Sequence, residues 1–142
     1  MALLNPYLNF DARTREAMQF YASVFGGEAT FSTFADFGAA EPGSEDADKI
    51  MHSQLVTTAG FTLMAADVPT SMGVQPSPNG TIALSGNEVD ELRGYFDGLA
   101  EGGQITLPLE QAPWGDYFGQ VTDKFGVSWM ANIDGSGGQP QA

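Results

Sequence analysis

Two stretches of the chain carry an apolar stripe at helical spacing, and each is framed by short runs of strand character. In the first, Ala17, Phe20, Tyr21, Val24 and Phe25 fall at i, i+3, i+4, i+7 and i+8, which predicts a helix lying on a sheet. Asp11 stands where a cap is needed, and Gly26-Gly27 stops the helix in left-handed geometry. The second stripe is Val89, Leu92, Phe96 and Leu99, with Asn87 as cap, Asp90 three residues on and Gly102-Gly103 as the stop. Strand-type runs at 6–10 and 81–85 precede the two helices. Runs at 29–34, 50–57 and 61–66 follow the first, and runs at 104–109, 117–122 and 127–133 follow the second. Ala59-Gly60 and Phe125-Gly126 sit at the tight turns between the last two strands of each set.

The two sets are copies. Asp11 matches Asn87, Phe20 matches Phe96, Gly26-Gly27 matches Gly102-Gly103 and Thr30 matches Thr106, all at an offset of 76 residues. Further on the offset is 66, pairing Gln54 with Gln120, Gly60 with Gly126, Met64 with Met130 and Ala65 with Ala131. The drop places about ten extra residues in the first copy, within the acidic, Gly- and Pro-bearing stretch 35–48. The expected organisation is one α+β domain of two tandem βαβββ modules, at about 4–67 and 81–133. The stretch 68–80, with Pro69, Pro76 and Pro78, reads as a linker and 134–142 as a flexible polar tail.

Composition narrows the function. A chain of 142 residues with 42% hydrophobic side chains can bury one good-sized core. Eighteen acidic against five basic residues give a net charge of -13, which repels phosphate backbones and anionic lipid surfaces, so nucleic-acid and membrane roles are not expected. With no cysteine, a thiolate nucleophile and a Cys-bound zinc are excluded. The start Met1-Ala2-Leu3-Leu4 lacks a basic, long apolar leader, and no stretch is long enough to span a bilayer as a helix, so a soluble cytoplasmic protein is expected. The acidic run 39–48 reads as a solvated, mobile loop in preference to a cation site.

Several motifs resemble a known family. Asn5-Pro6-Tyr7-Leu8, Phe25-Gly26-Gly27, Asp48-Lys49-Ile50-Met51-His52, Leu63-Met64-Ala65-Ala66-Asp67, Pro113-Trp114-Gly115-Asp116 and the run from Thr122 to Met130 look like PhnB-like proteins. These belong to the vicinal oxygen chelate superfamily, with the glyoxalases, bleomycin-resistance proteins and extradiol dioxygenases. The resemblance implies curved mixed sheets around a cleft, and a homodimer whose chains complete each other's clefts. Open sheet edges supply a physical motive for pairing. It also implies, for superfamily enzymes, a divalent metal held by His and Glu on the first and last strand of each module. Those places fall at about Asn5 or Pro6, Met64, Thr81 and Met130, none of which is His, Glu or Asp. A hard cation is not held by thioethers with a lone amide or hydroxyl, so no metal and no cofactor are expected.

The remaining candidates are weighed by chemistry. If Met64 and Met130 take the concave face, alternation sends Thr62 and Ser128 there and turns Leu63 and Trp129 toward the helices; the opposite assignment stays open. A methionine pair is core filler or ligand contact. Trp114, in a loop-like stretch, is a lid over a pocket or a staple on the core. Asp67, Phe118 and Trp129 join Met64, Trp114 and Met130 as candidate ligand contacts. His52, the only histidine, shares its expected strand side with Ile50, Gln54 and Val56 and is the candidate general base, with Asp67 or Asp116 as a partner; the alternative is a structural histidine. Asp123 pairs with Lys124 or anchors the hairpin before Gly126. A methyltransferase label sometimes attached to the family finds no strand, Gly-rich turn and helix to hold a methyl donor. Two functions follow: a metal-independent protein binding a small, partly apolar molecule, or an enzyme of lyase, isomerase or dioxygenase type using His52 or a metal at another site.

Overall fold

The computed structural model describes residues 3–70, 80–113 and 115–135. The chain divides into two compact units, Met1–Ser77 and Pro78–Ala142. In the first, β1 (Tyr7–Phe10), α1 (Thr14–Phe25), β2 (Glu28–Thr33), β3 (Ile50–Val56) and β4 (Thr62–Asp67) form a mixed sheet in the order β1-β4-β3-β2. The second repeats this with β5 (Ile82–Gly86), α2 (Val89–Ala100), β6 (Gln104–Gln111), β7 (Tyr117–Thr122) and β8 (Ser128–Ile133), in the order β5-β8-β7-β6. Each unit is therefore βαβββ, with its first strand parallel to its last and the others antiparallel. Most of the linker, residues 71–79, and the tail from 136 lie outside the described residues.

Each helix buries its stripe on its own sheet. In α1 the buried positions are Thr14, Ala17, Met18, Tyr21 and Phe25, while Phe20 and Val24 flank the stripe half-buried. Full burial of a side chain such as Met18 contributes about 1.5–3 kcal/mol. In α2 the buried set is Leu92, Phe96 and Leu99. The Gly-Gly stops have one physical cause in both copies. Gly26 and Gly102 adopt φ of 81° and 75°, and a Cβ on the following glycine would run into a strand carbonyl, Val56 O at Gly27 and Thr122 O at Gly103.

The helix starts differ from the expectation. Neither Asp11 nor Asn87 caps: the helices begin after Arg13 and Glu88, without a side-chain cap bond. Instead the Thr14 N–H donates to Oδ1 of Asp67 at 3.0 Å, from the far end of the last strand of the unit, while Oδ2 accepts from the Ile50 N–H at 2.8 Å. One buried carboxylate thus ties α1 to the start of β3. In the second unit Asp123 anchors the β7–β8 hairpin: Oδ1 accepts from the Phe125 and Val127 N–H groups at 2.8 and 3.1 Å.

The acidic stretch is more organised than a mobile loop. Phe34 N–H donates to Lys49 O and Ala35 N–H to Ala47 O, both at 3.1 Å, and Ala47 is 2% exposed. Asp46 meets Lys49 Nζ at 3.0 Å and accepts from the Thr70 N–H at 3.0 Å, while Lys49 Nζ also donates to Thr70 Oγ1 at 2.8 Å. The Thr70 N–H, and then Lys49, hold the Asp46 carboxyl down to about 2, and the Asp46 hydrogen bond holds Lys49 above its usual value. The acids of this stretch are therefore partly spent on a latch between the loop and the segment after β4. Residue 134 also departs from a free tail: Asp134 is 5% exposed and its N–H donates to Gly86 O at 2.7 Å. Among the described residues no helix is long and apolar enough to cross a membrane, a statement about helices only.

Candidate functional site

Each sheet has a helix on one face and leaves the other face open. Alternation along the strands decides which side chains go where. In the first unit Phe10, Ser53, Leu55, Leu63, Ala65 and Asp67 are buried on the helix side, and Tyr7, Gln54 and Met64 lie opposite. Cross-strand register puts Tyr7, Met64, Gln54 and Thr30 in one row across β1-β4-β3-β2. In the second unit Val121, Trp129, Ala131 and Ile133 are buried on the helix side. The equivalent open-face row is Ala83, Met130, Gln120 and Leu107 across β5-β8-β7-β6. The echo of Gln54 in Gln120 and of Met64 in Met130 is thus a repeated cross-strand pair, Gln beside Met, half-buried in both units.

The candidate residues separate along these two faces. Met64 and Met130 stand on the open faces, as does Phe118, half-buried opposite Asn132 and Glu110. Trp129 and Asp67 stand on the helix side with interior roles. Trp129 is 1% exposed and its indole N–H donates to Asp123 Oδ2 at 2.9 Å, while Asp67, 4% exposed, spends its oxygens on Thr14 and Ile50. Neither therefore presents a group to a ligand on the open face. Trp114 lies outside the described residues. Sequence reasoning passed over Gln54, Gln120 and Tyr7 as site residues, although the Gln54–Gln120 echo was the available signal.

His52 sits on β3 opposite Ser32, half-buried, with its ring centroid 6.2 Å from that of Tyr7. Gln54 and Val56 share its side, but Ile50 is 2% exposed, out of step where the β2–β3 register shifts. Asp67 points away from His52 through the sheet. Asp116 belongs to the other unit, where it is 2% exposed and accepts from the Gly135 N–H at 3.2 Å.

The donor chemistry at the superfamily metal places can be read from the register. Met64 pairs with Tyr7 and donates its N–H to Pro6 O at 3.1 Å, and Met130 pairs with Ala83. The first-strand residues level with the methionines are therefore Tyr7 and Ala83, next to the expected places at Asn5 or Pro6 and Thr81. Thr81 Oγ1 lies instead 3.1 Å from Ser128 Oγ. A phenol, a methyl group and two thioethers do not fit a hard divalent cation. Among the described residues no three His, Asp or Glu side chains gather as a metal site.

Comparison with known proteins agrees with this architecture. A profile of the Glyoxalase/Bleomycin resistance protein/Dioxygenase superfamily matches residues 4–131. The chain belongs to this superfamily. Protein YjdN of Escherichia coli (strain K12) is 31% identical over 142 residues, covering 92% of this chain and 94% of YjdN. The crystal structure of protein PA1353 from Pseudomonas aeruginosa is 34% identical, with a TM-score of 0.77 over 94% of this chain and 98% of its own. The PhnB protein of Bacillus cereus shares the fold, with a TM-score of 0.72 and 24% identity over 94% of this chain and 100% of its own. Superfamily membership fixes the scaffold, and the chemistry has to be argued from the open faces.

Proposed function

We propose that this chain is a metal-independent binding member of the superfamily, acting in the cytoplasm as a homodimer and holding a small, partly apolar molecule against the open faces of its sheets. The observation that carries the proposal is the content of the repeated row: Tyr7 with Met64 and Ala83 with Met130 lie side by side on the open faces, and neither these nor the adjoining Asn5, Pro6 and Thr81 offer a His, Glu or Asp. Thioethers and half-buried aromatics such as Phe118 give an adaptable apolar surface, and the neighbouring Gln54 and Gln120 give polar handles. Binding without reaction needs no more than this. Unfolding temperature tests the metal half of the proposal: chelator, and then one equivalent of zinc, nickel or manganese, should leave it unchanged. A rise of several degrees that saturates at one equivalent would mean a real metal site.

A second reading, an enzyme using His52, draws on the half-buried position of that imidazole beside Tyr7. Asp67, the partner expected within its unit, is engaged on the other side of the sheet, and the described open-face carboxylate of that unit, Glu28, pairs with Val56 at the far end of β3 from His52. Binding is therefore the stronger reading.

A further inference from the structure

The geometry points to an uncharged, planar molecule with an amide-type edge as the ligand of the open faces, an inference that rests on the binding reading above. The first ground is where the cations are. All five lie off the strands: Arg13 pairs with Glu16 at 3.7 Å, Arg15 covers the Phe31 ring at 4.7 Å, and Lys49 holds Asp46 and Thr70. Arg93 covers Tyr117 at 5.7 Å and Lys124 covers Phe125 at 5.6 Å. Neither open face has a lysine or arginine to pair with a carboxylate or phosphate, and the net charge of -13 repels one. The carboxylates that register places on these faces, Glu28 and Glu110, are exposed and confined to the outermost strands β2 and β6. Apart from the His52 imidazole, the open-face side chains of the central strands carry no ionisable group.

The second ground is the repeated pair itself. Gln54 and Gln120 are half-buried at the middle of their sheets, and among the described residues neither side-chain amide makes a hydrogen bond. Each keeps a donor and an acceptor side by side, the complement of a carboxamide, lactam or heteroaromatic edge. The methionine directly across the strand pair supplies a polarisable surface for the flat face of such a molecule. A site that reads a ligand through hydrogen bonds rejects analogues that cannot complete them, and a carboxylate offers acceptors alone.

The test compares benzamide with benzoate at one concentration in physiological salt, reading the labelled methyl groups of Met64 and Met130 by NMR. Benzamide should shift at least one of these methyls while benzoate leaves both in place. Gln54→Leu and Gln120→Leu should each weaken benzamide binding by about three- to tenfold. The nearly isosteric Gln54→Met and Gln120→Met serve as a second pair should either leucine variant fail to fold. Equal shifts with benzoate, or unchanged benzamide binding in the variants, would overturn the inference while leaving the binding reading in place. Methyls that respond to neither compound would overturn it as well. The binding reading is then decided separately, by whether the purified protein carries a small organic adduct in native mass spectrometry.

Discussion

A buried carboxylate is costly unless both oxygens are engaged, and Asp67 meets that condition with two backbone N–H groups from distant parts of its unit. Asparagine can accept from only one of them and would aim its own N–H₂ at the other. Asp67→Asn is expected to lower stability by about 2–3 kcal/mol in urea unfolding; an unchanged midpoint would remove the anchoring role. The same logic explains why the sequence pattern sets Met64 opposite Leu63 yet says nothing of what engages Asp67. Alternation is local, so Thr62, Met64 and Ser128 fall opposite Leu63 and Trp129 by counting alone. The partners of Asp67 lie 53 and 17 residues away, a relation no local pattern carries. Trp129 is a related case, because its indole N–H finds Asp123 only once the hairpin closes. Among the described residues His52 has no such hydrogen-bond partner, so His52→Gln is expected to leave benzamide binding within about twofold. A complete loss of binding or of a turnover signal would favour the enzymatic reading instead.

At the scale of elements, strand and helix placement was legible because hydrophobic periodicity and the Gly-Gly stops are written locally. Every expected strand exists, with ends within about two residues, which is the usual fray of such boundaries. The second glycine of each stop is explained by the approach of a strand carbonyl. Gly27→Ala and Gly103→Ala are accordingly expected to destabilise by well over the roughly 0.5 kcal/mol that bounds an ordinary exposed substitution, measured by chemical unfolding. The helix caps were misread because Asp11 and Asn87 have the right chemistry in the wrong geometry; Ala12 turns the chain at φ 60° before α1 starts. The latch on the acidic loop has its own pH signature. The Asp46 carboxyl titrates at about 2 when folded against 3.8 in the unperturbed group, so its contribution is complete above about pH 4 and is lost as pH falls through 2. Asp46→Asn should flatten the acid limb of stability between those values, and an identical acid limb in both proteins would show that the latch carries no stability.

At the scale of the molecule, two copies of one βαβββ plan differ on their open faces around a repeated Gln–Met pair: Tyr7 and Thr30 flank it in one unit, Ala83 and Leu107 in the other. The repeat and the family were legible in sequence, since both rest on motifs spread along the chain. The ligand was not, since the identity of a bound molecule depends on which neutral groups face it together. Each sheet ends in two edge strands, β1 and β2 in one unit and β5 and β6 in the other, a physical motive for the proposed dimer, and light scattering at low and high salt should give the dimer mass in both. The measurement that bears most directly on the central claim is native mass spectrometry with elemental analysis on the same purified sample. The account predicts a metal-free protein carrying a small organic adduct. A stoichiometric divalent metal would contradict it and move the catalytic reading to first place.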